Sequence, residues 1–123
     1  MLAGDFFTIT TINSTGDTIN ATLELNAAHR IFEGHFPGQP VVPGVCMMQM
    51  IKEILESAIG KKTRLIKSDQ AKFLAMIDPR QTKTVTAELK YTRTENSEFD
   101  VISTLTNEAT VFLKYKAVFV IVK

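Results

Sequence analysis

His35 is the side chain in this sequence best suited to moving a proton, because an imidazole titrates near neutral pH in its ordinary state. It heads the stretch HFPGQPVVPGV, in which Pro37, Pro40 and Pro43 each fix φ, remove a backbone donor and push the preceding residue toward extended geometry. The expectation is a stiff loop from His35 to Pro43 that positions the imidazole. The Pro43-Gly44 pair then opens the run VCMMQMIKEILESAI, which holds neither proline nor glycine before Gly60. That composition predicts a helix from Gly44 to Ile59, stopped by Gly60, with Lys61 and Lys62 well placed beside its negative end. A base and the positive end of a helix are therefore delivered to one place, an arrangement suited to taking a proton and stabilising the negative charge it leaves.

The helix carries its own chemical candidates. Gln49 is the polar exception among Val45, Cys46, Met47, Met48, Met50 and Ile51, which make the first half apolar on nearly every face and predict a helix surrounded by protein. Lys52, Glu53 and Glu56 give the second half a wet side, so Glu53 reads either as a solvated helix charge or as a carboxylate available to the site. The second reading has a geometric basis, since positions i and i+4 stack on a helix and Glu53 lies one turn, about 6 Å, along the stripe of Gln49. Cys46 falls in the first helical turn, where the dipole would lower a thiol pKa, although a small apolar core residue is the plainer reading. The methionines suit adaptable core and ligand lining alike. His29 lacks a surrounding motif and reads as structural or surface.

The elements that must hold these residues follow from alternation. FFTITTI and TINATLEL flank the turn-like NSTGD, with Ile19, Ala21, Leu23 and Leu25 on one face, and predict a hairpin. After the helix, TRLIKSDQAKFLAMI predicts a strand that DPRQ breaks. TVTAELKYTR, with Val85, Ala87, Leu89 and Tyr91 in alternation, predicts a strand followed by the turn TENSE, and FDVISTLT and TVFLKYKAVFVIV complete the sheet. The end of the last strand, VFVIV, is apolar on both faces and is expected centrally or at an oligomer contact. Strands, one long helix and a run of antiparallel strands define an α+β chain, a sheet around a single helix.

At 123 residues the chain reads as one domain, 1–123, small enough that a cleft could be completed by a second copy. Its net charge of +1, with signs interspersed, argues against a nucleic-acid surface. The single cysteine allows no internal disulfide, and no stretch approaches the ~18 apolar residues of a membrane span, so a cytoplasmic protein is expected. No metal or cofactor is expected.

The stretch HFPGQPVVPGV, the apolar helix after it and the strand-rich second half resemble the hot dog fold family of 3-hydroxyacyl-acyl carrier protein dehydratases of fatty acid synthesis. A second echo is AKFLAMIDPRQ, in which Lys72, Phe73 and Pro79 fit that family's basic-aromatic strand end and turn. The resemblance implies that His35 removes the α-proton of a 3-hydroxyacyl thioester. It implies that the backbone N–H groups of Gly44 and Val45 bind the thioester oxygen, and that Phe36, Pro43 and Met48 line the acyl chain. It further implies an acyl carrier protein as substrate carrier and a homodimer or higher oligomer in which each histidine meets its partner's helix; the positive charge concentrated at Lys61, Lys62, Arg64 and Lys67 reads either as the carrier's docking rim or as a solvated face. This chain departs from the family at Gln49, where a Glu or Asp would assist loss of the hydroxyl, and at Glu53, where the family often has Gln. A carboxamide donates hydrogen bonds but is no general acid, so Glu53, acting through water with Gln49, is the expected substitute. The alternatives are a catalytically weakened carrier-protein-binding partner subunit and a hot dog thioesterase.

Overall fold

The computed structural model describes residues 2–32, 41–94 and 97–122. The first hairpin is β1 (Phe7–Thr15) and β2 (Thr18–Leu25), joined by a two-residue turn at Gly16 and Asp17. Gly16 takes φ +62°, the left-handed conformation that glycine adopts without steric cost and that matches the twist of a two-residue hairpin. A single 3-10 turn, Arg30–Phe32, precedes the stretch 33–40, where the expected loop with His35 and Phe36 lies outside the described residues.

Helix α1 spans Gly44–Ile59, with Pro43 extended before it and Gly60 closing it at φ +69°, its N–H bonded to the Glu56 carbonyl. These are the bounds expected from the proline and glycine punctuation. The chain then forms β3 (Thr63–Phe73), β4 (Thr84–Arg93), β5 (Glu98–Asn107) and β6 (Thr110–Ile121). All pairings are antiparallel, and the six strands stand in the order β1-β2-β4-β5-β6-β3. β4 therefore pairs with β2 across the helix connection, and β3 closes the far edge against β6.

Period-two alternation places Ile19, Ala21 and Leu23 of β2 and Val85, Ala87 and Leu89 of β4 on the face that meets the helix side chains Met47, Met50, Ile51, Ile54 and Leu55, all buried. The VFVIV stretch lies inside the sheet, between β5 and β3, with Phe119 buried. β3 ends at Phe73, before the expected break, and the turn further on is built on Asp78, whose backbone carbonyl accepts the N–H groups of Gln81 and Thr82. Its carboxylate takes hydrogen bonds from the Arg80 backbone and guanidinium, and the guanidinium holds that carboxyl below the usual carboxylate range.

One expectation about the helix is reversed. Its first half is not surrounded by protein within the chain, because Val45 is 75% exposed. Its second half is not uniformly wet either: Glu53 is only 3% exposed, and the Glu56 carboxylate accepts the Thr63 N–H and Oγ1–H at the start of β3. Two of the three polar residues that suggested a solvated face, Glu53 and Glu56, instead serve as acceptors for backbone that the tertiary fold brings to them.

Candidate active site

The site is organised by the opening of α1. A helix leaves its first N–H groups without partners inside the helix. Here the Cys46 and Met47 N–H groups both reach the Pro43 carbonyl, at 3.0 and 3.1 Å, and Pro43 offers no side-chain cap. Among the described residues the N–H groups of Gly44 and Val45 have no backbone acceptor, and they sit where the helix dipole concentrates about half a positive charge. Two adjacent donors of this kind can bind a developing oxyanion.

The segment leading into the helix is fixed by the Val42 N–H bond to the Ile77 carbonyl at 2.9 Å, which lays it along the chain that follows β3. Between them lies an apolar cavity of about 460 Å³ lined by Val41, Val42, Pro43, Gly44, Met47 and Phe73, with Leu74, Ala75 and Met76 at its far side. Phe73 packs its ring directly on Gly44: a Cβ built on Gly44 would stand 2.9 Å from the ring's Cζ. A side chain at position 44 would therefore make the exposed Phe73 ring shift.

A second, smaller cavity of about 210 Å³ lies on the other flank of the helix, between Val45, Met48, Gln49 and Lys52 of α1 and Leu65, Tyr115 and Phe119 of the sheet. Met48, expected to line substrate, and Gln49 meet here, while Pro43 lines the first cavity. Gln49 and Glu53 are directly bonded, Nε2 to Oε2 at 2.9 Å. Glu53 is no solvated charge, because its carboxylate is buried and accepts the Leu2 N–H at 3.0 and 2.9 Å and the Ala3 N–H at 2.8 Å. The donors come from the start of the chain, about fifty positions away, so no local pattern around Glu53 announces them.

The remaining candidates separate cleanly. Burial pushes the Cys46 thiol pKa up, and Cys46 is buried, which suits a core residue rather than a nucleophile. His29 accepts the Ile31 N–H at Nδ1, which leaves Nε2 to donate to Asp5 Oδ2 at 3.1 Å, and its ring packs edge-on against Phe6. That is the structural role expected for it. Lys61, Lys62, Arg64 and Lys67 are exposed around the end of α1 and the start of β3, with Lys67 paired to Asp69 at 3.0 Å. Among the described residues no cluster of three His, Cys, Asp or Glu side chains is placed to hold a metal ion, and no helix is long and apolar enough to cross a membrane.

A single helix enclosed by an antiparallel sheet is the hot dog fold. The chain belongs to the ApeI-like family of dehydratases, whose family model matches residues 11–112. It is 31% identical over 94 residues to a 3-hydroxyacyl-acyl-carrier-protein dehydratase FabZ of Rickettsia akari, covering 70% of this chain and 65% of that protein. It is 32% identical over 71 residues to the dehydratase of the same name from Lactobacillus helveticus, covering 52% of this chain and 48% of the relative, so the chain spans about half the length of that protein. Among solved structures, the dehydratase heterocomplex ApeI:P of Xenorhabdus doucetiae shares the fold with a TM-score of 0.72 at 16% identity, covering 91% of this chain and 96% of the other. A mutant thioesterase of Pseudomonas aeruginosa shares it at 0.63 with 11% identity, covering 90% and 79%.

Proposed function

We propose that this protein eliminates water from 3-hydroxyacyl thioesters carried by an acyl carrier protein, giving the 2-enoyl thioester. The observation that carries this reading is the opening of α1, where the Gly44 and Val45 N–H groups have no backbone acceptor among the described residues and stand between two cavities, Gly44 lining one and Val45 the other. An enolate oxygen needs such donors, and the acyl chain needs such a cavity. Membership in a dehydratase family supports the reaction class.

In this reading His35 takes the α-proton, and the Gly44 and Val45 N–H groups bind the thioester oxygen as charge develops on it. Removing one such donor typically costs about 10²- to 10³-fold in rate. The Gln49 carboxamide is not an acid, and the Glu53 oxygens are already engaged by four hydrogen bonds. The proton for the departing hydroxyl is therefore assigned to the imidazolium that His35 has just become. The α C–H and the C–O bonds break, the C=C bond forms, water leaves and His35 returns to its neutral state. The acyl group lies in the cavity of Met48 and Gln49, the cavity beneath Phe73 receives the thioester arm that leads to the carrier, and an acidic carrier docks on Lys61, Lys62 and Arg64, with Lys67 tempered by Asp69.

The test is formation of the enoyl thioester, read by its absorbance, from purified 3-hydroxyacyl carrier protein. Wild type is expected to turn over and His35→Ala to lose activity by at least the general acid–base factor of about 10². Release of free acyl acid with no enoyl product would establish a thioesterase instead.

A further inference from the structure

We propose that Glu53 is a positioning residue that turns Gln49 into a hydrogen-bond acceptor for the substrate's 3-hydroxyl. The hydroxyl's role rests on the dehydratase reading above; the orientation of Gln49 does not. Glu53 is absent from the wall of the cavity formed by Val45, Met48, Gln49, Lys52, Leu65, Tyr115 and Phe119, whereas Gln49 is part of it. Glu53 instead faces Ala3 and Ile9 on the other side of the helix, so it reaches the cavity only through its 2.9 Å bond to Gln49 Nε2.

That bond decides which end of the amide is free. The two carboxylate oxygens offer about four acceptor sites, and the Leu2 N–H, shared between both oxygens, the Ala3 N–H and Gln49 Nε2 engage them. A carboxylate held in this way by backbone donors offers the amide only an acceptor. Gln49 must present its NH₂, since the flipped amide would set two lone-pair-bearing oxygens against each other with 3% of Glu53 open to water. Gln49 Oε1 is then the end left for the cavity, and no described residue donates a hydrogen bond to it. An oxygen there accepts the O–H of a 3-hydroxyacyl group and has nothing to accept from a saturated chain. The exchange of a carboxylate for Gln at position 49 and the carboxylate at 53 therefore act as one device: the acid is moved off the substrate and used to aim an acceptor at it.

The experiment is side-chain amide NMR on the full chain, with the Gln49 signal assigned by its loss in Gln49→Ala, during titration with non-hydrolysable 3-hydroxyacyl and saturated acyl thioester analogues. The expected result is a Gln49 NH₂ with one slowly exchanging proton, unmoved by either analogue, and a Gln49 carbonyl carbon that shifts with the hydroxylated analogue alone. Glu53→Gln should free that proton and reduce the preference for the hydroxylated analogue by about three- to tenfold, the scale of one hydrogen bond. Should that variant fail to fold, the wild-type amide signals decide the matter by themselves. Fast exchange of the Gln49 NH₂ in an active enzyme would overturn the anchoring and leave the dehydratase reading standing. An anchored NH₂ in a protein that binds neither analogue would overturn the dehydratase reading, and with it the role given to the hydroxyl.

Discussion

At the scale of single residues, the contact between Gly44 and Phe73 separates geometry from stability. A methyl at position 44 would press on the far edge of the Phe73 ring, and that ring is 49% exposed, so it has room to swing away. Gly44→Ala is expected to leave the thermal midpoint nearly unchanged while lowering turnover, because the displaced ring narrows the mouth of the apolar cavity beside the donor pair. Phe73→Leu in the same chain should restore most of the rate. A melting temperature that collapses in Gly44→Ala, or a rate that Phe73→Leu does not recover, would place the requirement for glycine elsewhere. The need for Gly44 is half legible in the sequence, since Pro-Gly announces a helix opening. The ring that presses on it belongs to β3 and is seen only in the fold. Glu53 shows the same limit more strongly, because Lys52 and Glu56 beside it suggested water, while its true partners are the Leu2 and Ala3 backbone.

At the scale of elements, α1 was legible almost completely, because both of its ends are written in local chemistry: proline before it and a left-handed glycine after it. Its exposure was not legible. Apolar residues around the whole first half indicate contact on all sides, yet within the chain Val45 projects outward, and that opening leaves the donor pair accessible. Cys46 tests the balance of forces in this first turn. The dipole favours thiolate, whereas burial raises the thiol pKa. Alkylation of the native protein at neutral pH is expected to be slower than that of the unfolded chain, because thiolate is the reactive form and burial disfavours it. Labelling as fast as in denaturant would mean that the first turn is open or the thiol activated. The sign of the pH effect follows: a group whose folded pKa is raised stabilises the fold below its unfolded pKa and loses that contribution as pH rises through the folded value. Cys46 therefore adds to destabilisation only in the alkaline range.

At the scale of the whole molecule, β2, β4 and β6 were legible from alternation and β3 only as an extended stretch that ends at Phe73, short of the expected Ile77, but the order of the strands was not. Nothing local indicates that β4 returns to β2 across the helix, or that β3 takes the edge beside β6. That edge bears on assembly. β3 is exposed at nearly every position after Thr63, carries Leu65 and Ile66 into solvent, and stands beside the exposed Val45. An unpaired strand edge with apolar side chains is a surface that proteins normally cover. A dimer is expected at micromolar concentration by sedimentation, shifting toward monomer in Leu65→Lys/Ile66→Lys; a monomeric wild type would contradict this.

The activity proposed for this protein is elimination of water at the opening of α1. Mass spectrometry of a 3-hydroxyacyl carrier protein incubated with the purified protein tests it most directly. The account predicts that the acyl group loses one water and stays attached to its carrier with wild type, and that it remains unchanged with His35→Ala. An acyl group that wild type leaves intact, or one cleaved from its carrier, would contradict it.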